Sequence, residues 1–260
     1  MRPLEQLCSD DEQEVLIFVS DIHLDPNANR DLDPSGFFNA LERSVPSDCS
    51  RLFILGDLFE TWVGDDLLTI SRQAFIEALA LFRHRSTHEI KLYLMHGNRD
   101  FLIGKNFCDD SKACLTAEVL ILEMFGFRVG LTHGDALCLD DLDYQHFRRQ
   151  VRQEKWQKAF LAKPLVQRQA LALSIRAESE QAKQVKPMAI MDVNPAAVEA
   201  FVTEHRLQAM IHGHTHRPAQ HAGIYTRWVL PDWDLAQQRG GWLRWDKSGF
   251  TAQGPFGAWA

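Results

Sequence analysis

The chain has 260 residues, 45% hydrophobic and 24% charged, the proportions of an ordinary globular protein large enough for an α/β domain. A formal net charge of −7 excludes a molecule built as a whole to grip nucleic acid or an anionic membrane. Five cysteines without a CxxC pair exclude a cysteine-framed scaffold, and no stretch approaches the ~20 apolar residues of a membrane span.

The opening MRPLEQLCSDDEQ lacks an apolar signal core, so a protein on the cytosolic side is expected. Val15–Ser20 is a continuous apolar run, the pattern of a strand covered on both faces, and it delivers Asp21 and His23 together at its end. Pro34–Val45 reads as a helix with Phe37, Phe38 and Leu41 on one side. Arg51–Leu55 is the next strand and ends in Gly56-Asp57, a carboxylate at the sheet edge with a glycine behind it that lets other groups approach. Ser71–Arg85 reads as a helix capped by Ser71, with Phe75, Ile76, Leu79 and Phe82 at helical spacing.

Ile90–Met95 is a strand running into His96-Gly97-Asn98-Arg99-Asp100. The alternation of strands and helices predicts a mainly parallel sheet with its site at the strands' carboxyl ends. A Cys/Asp-rich connection follows, and then Glu118–Glu123 and Phe127–Thr132 read as a hairpin around Gly126 leading to His133-Gly134-Asp135. Tyr144–Lys186 is mostly helical, and Pro195–His205 is a further helix with proline in its first turn. Ala209–His212 is a short strand delivering Gly213-His214-Thr215-His216, and the tail with Trp228, Trp233, Trp242 and Trp245 reads as closing strands.

Each polar strand end is a weak signal by itself. Their succession (DIH, GD, GN, HGD, GHTH, each after an apolar run) supplies carboxylate, amide and imidazole donors but no thiol. Such mixed O/N donors suit Mn²⁺, Fe, Zn²⁺ or Mg²⁺. The candidates are Asp21, His23, Asp57, Asn98, His133, His214 and His216. Seven ligands exceed what one ion takes, and one shared Asp gives two ions four each.

This series resembles the calcineurin-type metallophosphoesterases, whose motifs are D-x-H, G-D, G-N-H-[DE], H and G-H-x-H. The resemblance implies an α/β fold, a two-sheet sandwich flanked by helices. Here it would form a single domain over 1–260 with a helical insertion cap at about 141–190. It also implies one metal held by Asp21, His23, Asp57 and His216, and a second held by Asp57, Asn98, His133 and His214. The remaining His96, His212 and His221 fall outside the pattern and are expected to be non-ligands. Arg99 stands where many members carry histidine. A guanidinium cannot protonate a leaving oxygen and can only stabilise negative charge, which suits a pyrophosphate or activated diester.

A narrower resemblance lies in SDIHL, GDLFETWVGDD, MHGNRDFLIG, LTHGDALCLDD, AIMDVN and IHGHTHRP, spanning residues 20–218. These stretches are similar to the UDP-2,3-diacylglucosamine diphosphatases of bacterial lipid A synthesis, in which the arginine belongs to the pattern. What the resemblance implies is hydrolysis of a lipid-linked UDP-sugar with two Mn²⁺ ions. It gives catalytic roles to Asp57, Arg99 and His214, and substrate contacts to Asn98, Arg99, Asp141, Ser179, Lys183, Lys186 and His214. Lys183 is the departure, since better-known members have Asn there.

Residues 144–190 hold ten Lys/Arg against three Glu, a local charge of +7 that leaves −14 for the rest of the chain. The same stretch is rich in Leu, Val, Phe and Trp, which fits either an amphipathic subdomain or a cap for acyl chains. By the resemblance the cap reading is favoured, with peripheral contact at the cytoplasmic face of the bacterial inner membrane, no nucleic acid and no obligate protein partner. The alternatives are a nuclease or general phosphodiesterase of the same fold, and a non-catalytic scaffold that keeps the fold alone.

Overall fold

The computed structural model describes residues 4–24, 34–45, 47–67, 70–85, 90–185 and 188–259. Its strands are β1 (Leu4–Ser9), β2 (Leu16–Val19), β3 (Arg51–Leu55), β4 (Lys91–Met95), β5 (Ala113–Met124), β6 (Phe127–Thr132), β7 (Ala209–His212), β8 (Ala219–His221), β9 (Thr226–Val229), β10 (Trp242–Asp246) and β11 (Gly249–Gln253). The α-helices are α1 (Pro34–Ser44), α2 (Ile70–Arg85), α3 (Lys105–Ser111), α4 (Leu142–Val151), α5 (Glu154–Leu161), α6 (Leu165–Val185) and α7 (Pro195–His205).

Hydrogen bonding runs along the path β11-β10-β2-β3-β4-β5-β6-β7-β9-β8, with β1 beside β5. The long β5 belongs to two sheets. Ala113–Leu115 pair in parallel with β4, whereas Val119–Met124 pair antiparallel with β6. Phe125 and Gly126 both take positive φ in the two-residue turn, as the tightest hairpins require. Within the sheets β2, β3 and β4 are parallel, as are β6, β7 and β9.

Period-two alternation sorts the strand residues into layers. Phe18, Phe53 and Tyr93 from one sheet meet Leu122, Val129, Ile211 and Trp228 from the other in a shared core. The ring of Phe53 stacks between Phe18 at 5.0 Å and Tyr93 at 4.6 Å. Burying each such ring stabilises the fold by ~1.5–3 kcal/mol. The alternate residues Ile17, Val19, Leu52, Ile54, Leu92 and Leu94 face outward against Leu41, Phe75, Leu79 and Phe107 of α1, α2 and α3. On the far side Ile121 and Met210 pack against Val198, Phe201 and Val202 of α7. The result is the helix-flanked two-sheet sandwich that the family resemblance implies.

The differences are local. The edge strand β1 has no apolar run to announce it, because it pairs on one side only, parallel to β5 with a register shift between Leu4 and Gln6. In the Cys/Asp-rich connection, α3 starts at Gly104 with no side-chain cap and so carries no capping signal. Ser71 lies in the first turn of α2 instead of capping it, since the helix begins at Ile70. Trp233 is outside the strands and packs edge-on against Phe37 at 4.8 Å. Among the described residues, no helix is long and apolar enough to cross a membrane.

Candidate metal centre

The carboxyl ends of β2, β3, β4, β6 and β7 converge on one place, and the backbone there is tightly wound. Asp21 N donates to Gly56 O at 3.1 Å and His23 N to Asp57 O at 3.0 Å, zipping the first two loops together. Nine non-glycine residues have positive φ among the described residues. Five of them are Asp21, His23, Asp57, His214 and His216, at φ between 51° and 66°. Residues of this kind occupy the left-handed region only when the surroundings over-determine it, and such strain concentrates at functional sites. Gly56 has a defined use, because a Cβ there would lie 2.5 Å from His133 Nδ1 and 2.7 Å from Gly97 Cα.

All seven predicted ligands are brought together. Donor atoms of Asp21, His23 and His216 lie within 4.8 Å of one another, and so do those of Asp21, Asp57 and His133. The carboxylate common to the two groups is Asp21, with Asp57 in the second. Asn98 Oδ1 joins the second group, 3.0 Å from His133 Nε2 and 2.9 Å from His214 Nδ1.

The orientation of the donors is that of a cation site. Ser20 Oγ and His214 N donate to Asp21 Oδ2 at 2.6 and 2.8 Å, while the buried Oδ1 has no hydrogen-bond partner. That orphan oxygen lies 3.4 Å from His216 Nε2 and 3.8 Å from His23 Nε2, and the two Nε2 atoms are 3.3 Å apart. Each ring has a carboxylate behind it: Glu60 Oε2 is 2.8 Å from His23 Nδ1, and Asp232 Oδ2 is 3.5 Å from His216 Nδ1. A carboxylate behind Nδ1 favours the proton there and leaves the Nε2 lone pair for a metal. His133 is set the same way, its Nδ1 donating to Leu55 O at 2.8 Å. Lone pairs pointed at one another around an unpartnered buried carboxylate oxygen fit bound divalent cations.

Electrostatics agrees with that set. Burial raises the Asp21 carboxyl, but the His216 contact and the neighbouring imidazoles outweigh it and hold the pKa well below the carboxylate range. Burial pushes His214 down to about 4 and lowers His23, so both rings are neutral at pH 7. For His133 burial acts downward, yet the Asp57, Asp21 and Asp135 charges prevail and its pKa is raised.

Arg99 lies at the rim, with Nη1 2.5 Å from Glu60 Oε1 and Nε 3.6 Å from Asp57 Oδ2, and its N–H donates to Asp57 Oδ1 at 2.9 Å. Asp141 caps α4, accepting from Tyr144 N at 3.1 Å. Ser179 is exposed on α6, far enough along the chain to lie beside Glu180, whose carboxylate is 3.9 Å from Arg99 Nη2. Lys183 falls in α6 with its side chain outside the described residues, and Lys186 lies outside them altogether. His96 contacts Ile103 O at 2.8 Å, and His212 contacts Gly213 O at 3.0 Å and the Arg227 guanidinium at 3.1 Å. His221 is exposed on β8.

Four supporting residues were not singled out from the sequence: Ser20, Glu60, Asp100 and Asp232. Buried Asp100 accepts from Gly97 N at 2.8 Å and Leu58 N at 2.7 Å, clamping the Asn98 loop to the Asp57 loop. Its place in HGNRD was the available signal. Asp232 comes from the tail, where no motif marks it. Asp135 anchors α4 instead, accepting from Tyr144 Oη at 2.6 Å and Arg148 Nε at 2.8 Å, while the Tyr144 ring stacks against His214 with centroids 6.0 Å apart.

A family model described as calcineurin-like phosphoesterase matches residues 15–218. The chain is 42% identical over 245 residues to a UDP-2,3-diacylglucosamine hydrolase of Bordetella pertussis, covering 91% of this chain and 93% of that protein. It is 43% identical over 224 residues to a protein of the same name from Serratia proteamaculans, covering 84% and 91%. Among solved structures, zinc-bound Vps29 from Entamoeba histolytica is similar at a TM-score of 0.46 and 11% identity, over 92% of this chain and 91% of that one. With its strand-end donor residues gathered into one centre, the chain belongs to the calcineurin-like phosphoesterases and, within them, to the family of the UDP-2,3-diacylglucosamine hydrolases.

Proposed function

We propose that the protein hydrolyses the pyrophosphate bond of UDP-2,3-diacylglucosamine to UMP and 2,3-diacylglucosamine 1-phosphate. The observation that carries this reading is the ligand cluster itself, with the orphan Asp21 Oδ1 inside it and a permanent cation, Arg99, at its rim. Asp21, His23, Asp57 and His216 would hold one ion, and Asp57, Asn98, His133 and His214 the other, both Mn²⁺. Two such ions, when bound, supply water activation and neutralise charge at phosphorus.

The chain's own groups do the rest. Arg99 keeps its charge at any working pH, so it stabilises phosphoryl oxygens without giving up a proton. That matches a phosphate leaving group, which needs no general acid. His214, neutral with its pKa at about 4, donates no charge and acts as a ligand and a wall of the phosphate site.

The stretch of about 141–190 is read as a cap within a single domain. Exposed Leu142, Val166, Leu171 and Leu173 offer it apolar surface for acyl chains. Asp141, Ser179, Lys183 and Lys186 would contact the substrate, and the basic residues of the cap would meet the anionic cytoplasmic face of the inner membrane, contributing ~1 kcal/mol each near the surface.

The test is an assay of metal-depleted protein with UDP-2,3-diacylglucosamine, before and after Mn²⁺ is restored. UMP release only with metal is expected. Activity confined to simple phosphate esters would sink the substrate assignment.

A further inference from the structure

Glu60 joins parts of the centre that the proposed reaction leaves unconnected. It lies at the end of the Asp57 loop with its side chain 17% exposed. One oxygen, Oε2, is 2.8 Å from His23 Nδ1. The other, Oε1, is 2.5 Å from Arg99 Nη1 and also pairs with the Arg176 guanidinium of α6. We infer that Glu60 is a positioning residue, which sets His23 for the cation at the Asp21–His23–His216 group and holds Arg99 at the rim.

The chemistry follows from what a carboxylate can do. Its negative charge 2.8 Å from the ring favours the hydrogen of His23 on Nδ1 electrostatically, although the pair is not aligned as a hydrogen bond, and leaves the Nε2 lone pair facing Asp21 Oδ1 and His216 Nε2. Without it the ring is free to turn or to present an N–H to the incoming ion. The same charge also offsets two guanidinium groups. Its removal leaves Arg99 with only the more distant Asp57 and Glu180 carboxylates and takes from Arg176 its Glu60 partner beside a site meant for a divalent cation, and that repulsion acts in the same direction. Partners of this kind are worth about 10–100-fold in metal affinity.

The inference rests on the two-cation reading, and a calorimetric titration of metal-stripped full-length protein with Mn²⁺, without substrate, separates the two. Wild-type protein is expected to take up two equivalents. Glu60→Ala should weaken one of them about 10–100-fold and leave the other within a few-fold. Glu60→Gln keeps the size of the side chain without the charge, so it should fall between the two. Arg176→Ala breaks the tie to α6 but spares His23, and it should bind both ions as wild type does.

Wild-type affinity in both Glu60 variants would overturn the inference, and Glu60→Gln alone decides if Glu60→Ala does not fold. Arg176→Ala weakening the ion as much as Glu60→Ala would overturn it too, because Glu60 would then be a tether for α6. A wild-type protein that binds one equivalent sinks the two-cation reading and leaves the Glu60 comparison to be made on that ion. Binding of none sinks both.

Discussion

His133 Nε2 and Asn98 Oδ1 face each other at 3.0 Å while Nδ1 of the same ring is committed to the Leu55 carbonyl at 2.8 Å. In a neutral ring this sets two lone pairs against each other, an arrangement that a proton or a cation between them relieves. The raised pKa of His133 shows the proton's side of that competition: surrounded by Asp57, Asp21 and Asp135, the ring takes up a proton more readily than an ordinary histidine, despite its burial.

Cation binding should therefore expel a proton. At pH values just above 6.5 the apo protein still holds the His133 proton in part, and the bound ion cannot share Nε2 with it. Mn²⁺ titrations in two buffers of different ionisation enthalpy should show net proton release near neutral pH, vanishing in His133→Asn. Heats independent of buffer in the wild type would contradict the assignment of His133 as a ligand.

The parts of this centre that could be read from the sequence are those that sit immediately after apolar runs. Asp21, Asp57 and His214 follow strands whose burial forces a continuous hydrophobic pattern, and the strand therefore points at its own candidate ligand. Glu60 and Asp232 escape that logic. Glu60 lies five residues past Leu55 in a loop with no period, and Asp232 comes from a tail segment held at the centre by long-range pairing, with Leu230 N donating to His212 O at 2.8 Å and Trp233 N to Asp21 O at 3.0 Å. The fold was legible for the same reason, and its misses, β1 and α3, are the elements that lack an apolar run or a side-chain cap.

Asp57 is read as the bridge, although the carboxylate shared by the two groups of donor atoms is Asp21. The two roles separate in Asp57→Ala. If Asp57 bridges, that variant should bind fewer than two metal equivalents by elemental analysis and lose UMP release. Two equivalents retained would move the bridge to Asp21.

In the proposed reaction Arg99 stabilises transition-state charge from the rim. Arg99→Ala should lower kcat/KM by about 10²–10³-fold, the cost typical of losing one oxyanion donor. Arg99→Lys should recover only part of that, since an ammonium lacks the planar fork. An unchanged kcat/KM in Arg99→Ala would remove Arg99 from the mechanism.

Gly97 tests how closely the loops must pack. A Cβ at this position would sit 2.1 Å from Asp57 Oδ1 and 2.3 Å from Asp57 N, and neither can retreat because Asp57 is buried against Arg99 N and His133. Gly97→Ala should displace the Asp57 carboxylate, costing about 1–3 kcal/mol of stability by overpacking. Metal binding should fall with it. Unfolding curves and Mn²⁺ uptake matching wild type would show that the two loops separate more easily than this contact implies.

His212 gives the fold a defined acid sensitivity. The ring is fully buried, and burial pushes its pKa down to about 3, with the Arg227 guanidinium 3.1 Å from Nε2 opposing a second positive charge. A histidine whose folded pKa is depressed is protonated first in the unfolded chain. Its contribution to stability is therefore complete above about pH 6.5 and drains away as pH falls toward about 3, at ~1.4 kcal/mol per unit. Between pH 7 and 5 that amounts to about 2 kcal/mol. Asp100, raised to about 6 by burial and by Asp57, works the other way over part of this range, so the comparison has to be made against a variant that keeps Asp100. Urea unfolding of wild type and His212→Gln at both pH values isolates the term: the wild type should lose about 2 kcal/mol more than the variant on acidification. Equal losses would mean that His212 keeps its ordinary pKa in the folded protein.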